Sequence, residues 1–269
     1  MNRELTISTA TTRTSGYWNN QLTTKQDLTA RIYEPIQLEI TQDEYQALPK
    51  AERDKAKDHG GYVLGHLRGG RRRKGHVHNR SAITLDVDSL PAYTNLPQVL
   101  QDNLDCAWLA HTTTSHTPDQ PRWRVIIWLS RNVTPDEYTA LARRAAQDIN
   151  PGLDWFDHTT YQPERFMYWP AATTDGDYQA HVSHNREDLD VDAWLSRYTD
   201  ETEFEANNVN PLHTPAGTPF LATVCGGLPQ LVVRSHSDID LEAWWLLNGT
   251  RWLRTDDCDV EIITPLKSD

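Results

Sequence analysis

Two carboxylates stand two residues apart inside an otherwise apolar, β-branched stretch, SAITLDVDSL, residues 81–90. Side chains alternate along a β-strand, so Asp86 and Asp88 would share one face and the apolar residues the other. The apolar residues of that opposite face are Ile83, Leu85 and Val87. Neighbouring like charges repel, and an unpaired carboxylate is costly to bury. The pair therefore indicates a divalent-metal site, and the alternative is a solvated strand end that opens a turn.

Three downstream stretches carry further side chains suited to phosphate chemistry. HTTTSH ends in His116, PRWR contains Arg122 and Arg124, and GLDWFDHTTYQPERFM contains Asp157 and Arg165. Carboxylates that hold two divalent ions, with cationic side chains around them, are what nucleotidyl transfer requires. Each residue also has a structural alternative, such as a helix or turn cap for Asp157 and an exposed strand face for the two arginines of PRWR.

The charge of the chain is segregated. The formal net charge is −12, which by itself disfavours a polyanionic partner. Residues 68–80, RGGRRRKGHVHNR, nevertheless contain six basic residues and no acid, and we call them the basic segment. We predict that this segment contacts nucleic-acid phosphates, and the alternative is an ordinary solvated loop. The predicted contacts are Arg71, Arg72, Arg73, Lys74 and Arg80.

Composition and element patterns predict a globular α+β protein. A 38% hydrophobic content with ten tryptophans argues against disorder, and three scattered cysteines form no CxxC pair. Neither an apolar run of ~18 residues nor a signal-peptide core is present, so we expect a cytoplasmic protein without membrane contact. We predict a mostly antiparallel, RRM-like sheet with packed helices and a small C-terminal appendage. The predicted domains are a catalytic domain (1–200), a linker (201–220) and a small module of unknown role (221–269).

Individual elements follow from local signals. A Thr134-x-x-Glu137 capping box with Pro135 at the first helical position predicts a helix. The other predicted helices are 41–61, interrupted at Pro49, 96–104 and 191–198. The predicted strands are 4–8, 36–40, 81–88, a strand ending at His111, 122–130 and 165–171.

The order DxD, Ser/Thr-x-His and hydrophobic-Asp resembles the three motifs of archaeo-eukaryotic primases, the primase-polymerase superfamily. The resemblance is nearest to phage- and plasmid-encoded domains and covers roughly residues 5–180. The matching stretches are KDHGGYVLG (57–65), HTTTSH (111–116), PRWR (121–124) and YQPERFM (161–167).

This resemblance implies a role for each matching residue. Asp86, Asp88 and Asp157 would be catalytic carboxylates that bind two Mg²⁺ or Mn²⁺ ions, with His116 as a further catalytic residue at the nucleotide phosphates. Arg165 would contact the triphosphate. The implied nucleotide-binding residues are Thr114, His116, Arg122, Arg124 and Arg165. Thr114 stands where the family usually has serine, which preserves the hydroxyl.

The implied activity is a primase or DNA polymerase acting on a single-stranded DNA template with NTP or dNTP substrates. Many relatives carry a fused helicase, but the sequence contains no P-loop GxxxxGKS/T, so a separate replicative helicase is the expected partner.

Three alternatives remain open. His76-Val77-His78 could be the metal element of a rolling-circle initiator or relaxase, with Tyr138 or Tyr198 as nucleophile, although it lies in a glycine-rich basic stretch without an apolar strand. DxD also occurs in glycosyltransferases that bind sugar nucleotides. Finally, the chain could be a catalytically inactive nucleic-acid-binding replication accessory.

Overall fold

The computed structural model describes residues 3–196 and four β-strands between residues 221 and 265. The chain forms two compact units, Met1–Ser196 and Arg197–Asp269. The strands of the first unit are β1 (Leu5–Ala10), β2 (Asn19–Thr23), β3 (Ile36–Gln37), β4 (Gly61–Val63), β5 (Gly65–Leu67), β6 (Val77–Val87), β7 (Trp108–Thr112), β8 (Trp123–Val133), β9 (Met167–Tyr168), β10 (Ala171–Ala172) and β11 (Ala180–Val182).

Within residues 3–196, six α-helices accompany these strands. They are α1 (Lys25–Tyr33), α2 (Gln42–Ala47), α3 (Lys50–Ala56), α4 (Leu96–Asn103), α5 (Pro135–Ile149) and α6 (Val191–Ser196). Two short 3-10 helices, Arg68–Gly70 and His158–Tyr161, lie in loops. Among the residues that the structure describes, no helix is long and apolar enough to span a membrane.

Two antiparallel sheets form the body of this unit. The larger has the strand order β11-β7-β8-β6-β5, and the smaller has the order β2-β1-β4-β9. A third, two-stranded sheet pairs β10 with β3 in parallel. The predicted α+β class with a mostly antiparallel sheet is therefore confirmed.

The cores follow from the alternation of side chains in β6. Ile83, Leu85 and Val87 join the main core, which α4, α5 and α6 cover on one face of the larger sheet. Ala82 points the opposite way and joins a second core, which contains apolar residues of β1, α1 and β4. The predicted alternation is thus confirmed. Asp86 lies between Leu85 and Val87 in the strand, and its side chain points to the opposite face from theirs.

Helix α5 begins where its capping signal predicts. The Thr134 hydroxyl accepts a hydrogen bond from the backbone N–H of Glu137, and the Glu137 carboxylate accepts one from the backbone N–H of Thr134. Pro135 occupies the first helical position, where a missing N–H costs nothing. The predicted interruption near Pro49 is also confirmed, because α2 ends at Ala47 and α3 begins at Lys50.

Several element predictions need correction. The strand predicted over 165–171 is two separate strands, because β9 pairs with β4 while β10 pairs with β3 across the intervening Trp169 and Pro170. The strand predicted over 36–40 contains only two residues. Strand β6 begins at Val77, so the HVH sequence enters a strand and does not lie wholly in a loop. Strand β2 and helix α1 were not predicted from the sequence.

The second unit contains an antiparallel sheet of four strands in the order β12-β13-β15-β14. These strands are β12 (Leu221–Cys225), β13 (Leu228–Val233), β14 (Trp252–Thr255) and β15 (Glu261–Pro265). The predicted linker, 201–220, lies outside the described residues, so the predicted domain boundaries stay predictions.

Candidate functional site

Asp86 lies near the C-terminal end of β6, directly opposite Arg124 of β8. The Arg124 Nε donates to Asp86 Oδ1 at 2.9 Å, and Arg124 Nη1 donates to the Tyr168 carbonyl oxygen at 2.9 Å. Burial alone would raise the pKa of Asp86, but the charges of Arg124 and Arg165 outweigh it and hold that pKa below its ordinary value. Asp86 is therefore an ionised carboxylate in a fixed orientation at neutral pH.

Asp157 is brought to Asp86 through the backbone. Its N–H donates to the Asp86 carbonyl oxygen at 3.0 Å, and the preceding residue, Phe156, forms an isolated β-bridge with Val87. Arg165 then joins the two carboxylates, because its Nη2 lies 2.7 Å from Asp157 Oδ2 and 3.4 Å from Asp86 Oδ2. Two acids and one arginine that are far apart in the sequence thus meet at one end of the larger sheet.

Asp157 also caps a helix, which is the structural role that the sequence allows for it as an alternative to a catalytic one. Its carboxylate accepts hydrogen bonds from the backbone N–H and the hydroxyl of Thr159, both at 2.9 Å. These bonds cap the 3-10 helix His158–Tyr161. The Asp157 carboxylate is therefore oriented by its own loop as well as by Arg165.

Asp88 lies just beyond the end of β6, where its side chain is 42% exposed. Arg122 Nη1 donates to Asp88 Oδ1 at 2.9 Å, and the Asp88 backbone N–H donates to the Trp155 carbonyl oxygen. All three predicted metal ligands thus have an arginine partner, and the cluster of three acids and three arginines has a formal charge of zero.

Whether this cluster can hold a divalent ion depends on which ligand atoms it offers and how they are arranged. Among the described residues, no group of three or more His, Cys, Asp or Glu side chains is arranged to hold a metal ion. The donors themselves are suitable, because Mg²⁺ and Mn²⁺ prefer carboxylate oxygens. A cation also already lies between Asp86 and Asp157, namely the Arg165 guanidinium. The carboxylates therefore fit a metal on condition that this guanidinium moves away.

His116 lies in the turn that follows β7 and is buried. Its ring packs edge-on against Trp123 at 5.7 Å, and its Nδ1 accepts a hydrogen bond from the Arg122 backbone N–H at 3.1 Å. Burial lowers the pKa of His116, with the Asp177 carboxylate acting in the opposite direction. A neutral imidazole with Nδ1 as acceptor carries its hydrogen on Nε2, so His116 has one N–H to offer to a ligand.

Thr114 does not have a free hydroxyl in this structure. Its Oγ1 donates to the Ala171 carbonyl oxygen at 2.8 Å, which ties the turn containing His116 to β10. Thr114 and His116 both line a small cleft with Gly176 and Asp177.

The basic segment is only partly a solvated loop. Arg73 and Lys74 are exposed, and Arg71 is exposed while donating to the Gly16 carbonyl oxygen. Arg72 instead lies between two aromatic rings, with its guanidinium 5.2 Å from the Trp18 ring centre and 4.6 Å from that of Phe166.

The prediction that Arg80 contacts nucleic acid is wrong. The side chain is fully buried, donates to the carbonyl oxygens of Leu64 and Pro163 and to the Thr84 hydroxyl, and lies 4.0 Å from the Tyr138 ring centre. Arg80 lies in β6 with its side chain inside the protein, where it donates hydrogen bonds to backbone carbonyl oxygens.

The geometry also weakens the relaxase alternative. Tyr138 is fully buried, and its hydroxyl donates to the Thr84 and Thr160 carbonyl oxygens, so it cannot attack a DNA phosphate in this conformation. The other nominated nucleophile, Tyr198, lies outside the described residues. His78 pairs with the ring of His66 at 5.6 Å, which gives two imidazoles without a third protein ligand among the described residues.

Two residues close to Asp86 carry no prediction from the sequence. The Thr160 hydroxyl accepts from the Asp86 backbone N–H at 3.0 Å and donates to the Thr84 carbonyl oxygen, which fixes the end of β6. Tyr62 is fully buried close to Asp86 and Arg124, and burial raises its pKa to about 12. Neither residue has a local sequence signal, because its position near Asp86 depends on how distant segments pack.

Comparisons with known proteins agree with the predicted resemblance to phage and plasmid primases. A family model described as the VapE N-terminal domain matches residues 1–207. Among solved structures, the AEP domain of the cyanophage S-2L primase-polymerase is similar to this chain. That similarity has 14% sequence identity, covers 72% of this chain and 88% of that chain, and has a TM-score of 0.39. No curated protein sequence matches the chain. Because the family model spans most of the sequence, the chain belongs to the family of VapE N-terminal domains.

Proposed function

We propose that this chain catalyses template-directed nucleotidyl transfer on single-stranded DNA. The observation that carries the proposal is the meeting of three carboxylates and three arginines at one end of the larger sheet. His116 is linked to this cluster through the backbone of Arg122. Such a cluster offers oxygen ligands for cations and guanidinium groups for phosphates within one site.

The carboxylates are the cation-binding half of the proposed site. Asp86, Asp88 and Asp157 would hold Mg²⁺ or Mn²⁺. Bound there, the ions would lower the pKa of the attacking 3′-hydroxyl and neutralise the leaving pyrophosphate. Arg124 keeps Asp86 oriented, because it is itself fixed by the Tyr168 carbonyl oxygen.

The cationic residues are the phosphate-binding half. Arg122 and Arg165 are about one-third exposed, so both can exchange a carboxylate partner for a phosphate oxygen. Neutral His116 can donate its Nε2 hydrogen to another phosphate oxygen. The 3′-oxygen forms a bond to the α-phosphorus while the bond to the bridging oxygen breaks, and the arginines stabilise the charge that develops on pyrophosphate.

A direct assay distinguishes this function from the alternatives. The protein would be incubated with single-stranded DNA, NTPs or dNTPs, and Mg²⁺ or Mn²⁺. We expect elongated or newly primed strands. Strand cleavage with covalent attachment of the DNA would instead indicate a relaxase. In a parallel incubation with a sugar nucleotide in place of the NTPs, hydrolysis or sugar transfer would indicate a glycosyltransferase.

One observation favours a second function, an inactive nucleic-acid-binding accessory. Each predicted metal ligand already has an arginine partner, and Asp157 accepts two further hydrogen bonds from Thr159. A chain of this kind would bind single-stranded DNA but incorporate no nucleotide with either metal, which the same assay measures.

Replacement of His116 tests the phosphate-binding half. We expect His116→Ala to raise the nucleotide KM or lower kcat by about 10-fold or more, because one donor to a phosphate oxygen is lost. Metal affinity should change little, because His116 makes no contact with the three carboxylates. Steady-state kinetics and metal titration would measure both. Loss of a bound ion in His116→Ala would contradict this role.

Arg165 is expected to behave differently from His116. Its guanidinium neutralises Asp86 and Asp157 directly, so Arg165→Gln should raise the nucleotide KM and also increase metal affinity. His116→Ala is the matched comparison in the same titration. Equal metal affinity in wild type and Arg165→Gln would contradict competition between Arg165 and the metal.

The basic segment is expected to contribute the salt dependence of DNA binding. Each phosphate that is neutralised steepens the slope for a single strand by about 0.7 log units per decade of salt. Replacement of Arg71, Arg73 and Lys74 with alanine should therefore flatten the slope by about 2 units. Arg72 is left in place because its stacking between Trp18 and Phe166 is structural. An unchanged slope would mean that this segment contacts no phosphate.

A further inference from the structure

The loop between β1 and β2, residues 11–18, is joined to the basic segment by three backbone contacts. Arg71 Nη1 donates to the Gly16 carbonyl oxygen at 2.7 Å, and Arg72 Nη2 donates to that of Arg13 at 3.1 Å. The Trp18 backbone N–H donates to the Gly70 carbonyl oxygen at 2.9 Å. The two loops therefore form one continuous surface, which we call the two-loop surface.

The two-loop surface reaches toward the carboxylates. Arg72 lies between Trp18 and Phe166, and Phe166 directly follows Arg165, which binds Asp86 and Asp157. Burial lowers the pKa of Arg72, and the positive charge of Arg165 lowers it further, which reflects how close the two guanidinium groups are. A strand bound along this surface would therefore lead to the proposed catalytic site.

Tyr17 is the exposed aromatic residue of the two-loop surface, with 64% of its surface accessible to solvent. Its ring lies on the backbone of Gly70. A β-carbon at Gly70 would lie only 2.4 Å from Tyr17 Cε2, and Gly70 has a φ of +62°. Only glycine suits this position on both grounds. The Tyr17 ring is thus supported from behind and open in front, as a stacking platform requires.

The surroundings of Tyr17 determine which partner suits it. Residues 11–18 and the basic segment contain no acidic residue of their own, and Arg68, Arg73 and Lys74 are exposed. Two acids of other segments, Asp54 and Asp58, contact this surface at Arg13, through its side chain and its backbone N–H. An exposed ring on a surface that also carries exposed cations matches a ligand with alternating planar groups and negative charges. Single-stranded DNA has that chemistry, because its bases are free to stack while its phosphates contact the cations.

We propose that Tyr17 is a base-stacking residue of a single-stranded DNA site on the two-loop surface. The inference rests on the proposed function, which requires a bound DNA strand. It adds a residue that contacts a base of that strand and not a phosphate. Stacking of one base on an aromatic side chain contributes enough affinity for its loss to weaken binding by about 5-fold to 150-fold.

The test compares DNA with and without bases. Affinities of the full-length protein would be measured by fluorescence anisotropy for labelled oligo(dT) and for an abasic oligonucleotide of the same length and charge. We expect Tyr17→Ala to weaken binding of oligo(dT) by about 5-fold or more and to leave abasic binding unchanged. Tyr17→Phe should bind oligo(dT) as wild type does, whereas Tyr17→Leu should behave like Tyr17→Ala.

Salt titration separates stacking from charge. The slope should be the same in Tyr17→Ala and wild type, because no phosphate contact is removed, whereas Arg73→Ala/Lys74→Ala should flatten it by about 1.4 units on both oligonucleotides. Tyr33→Ala is a control for a second exposed tyrosine, on α1, and should bind as wild type does.

Three results would overturn the inference: equal oligo(dT) affinity in Tyr17→Ala and wild type, an equal loss on the abasic strand, or wild-type binding by Tyr17→Leu. Failure of the proposed function would appear differently. A protein that shows the Tyr17 effect in binding but incorporates no nucleotide would retain the stacking site and lose the catalytic assignment.

Discussion

Replacement of Asp88 with asparagine is expected to lower nucleotide incorporation by about 100-fold or more, because the neutral amide is a poorer ligand for a divalent ion. Of the three carboxylates, Asp88 can be changed with the smallest expected effect on stability, because it is 42% exposed and its partner Arg122 can be solvated instead. Asp86→Ala/Asp88→Ala should abolish synthesis. The change would be measured by primer extension with Mg²⁺ and with Mn²⁺, at equal concentrations of folded protein.

Asp86 requires a more conservative change than alanine. Its loss would leave Arg124 buried without a counter-charge, which destabilises a protein by several kcal/mol. Asp86→Asn keeps a hydrogen-bond acceptor for Arg124 but removes its counter-charge, so the free energy of unfolding of this variant would be measured alongside synthesis to separate the stability effect from the catalytic effect. Asp105→Asn removes an exposed aspartate whose partner is Arg186, and it should leave synthesis unchanged. Near-normal synthesis by Asp86→Asn/Asp88→Asn would exclude the metal-site assignment.

Replacement of Arg80 with methionine is expected to lower the free energy of unfolding by about 3 kcal/mol or more. Methionine fills much of the same volume but removes the hydrogen bonds that Arg80 donates to three acceptors, each lost bond costing about 1–3 kcal/mol. Those acceptors are the Leu64 and Pro163 carbonyl oxygens and the Thr84 hydroxyl. One of the three, the Leu64 carbonyl oxygen, keeps a second donor in the Ser81 backbone N–H. Urea unfolding followed by tryptophan fluorescence would measure the change.

The control for Arg80 lies in the same basic segment. Arg73 is exposed, so Arg73→Met should change the free energy of unfolding by less than about 0.5 kcal/mol. Equal stability of Arg80→Met and Arg73→Met would show that the buried hydrogen bonds of Arg80 contribute nothing to stability.

The parts of the fold with strong local signals could be predicted from the sequence. The alternation around Ile83 and Leu85 requires only the two-residue period of a strand, and α5 requires only its capping box and the proline that follows. The missed helix α1 has just two buried residues, Leu28 and Ile32, in a polar stretch, so its amphipathic pattern is too weak to recognise.

The candidate site could be predicted as a set of residue types but not as a set of contacts. Asp86 and Arg165 are 79 residues apart in the sequence, and their contact depends on how the loop after α5 returns to the end of β6. The burial of Arg80 could not be predicted either, because a cation in a basic run is normally exposed. Its acceptors are backbone atoms from segments 16 and 83 residues away.

The central claim is most directly tested by whether the template dictates the product. The wild-type protein would be given single-stranded homopolymer templates, each with one of the four nucleotides, in Mg²⁺ or Mn²⁺. We predict incorporation of the complementary nucleotide alone, with no product from the Asp86→Asn/Asp157→Asn variant. Absence of product from the wild type with either metal, or equal synthesis by that variant, would contradict nucleotidyl transfer at this site.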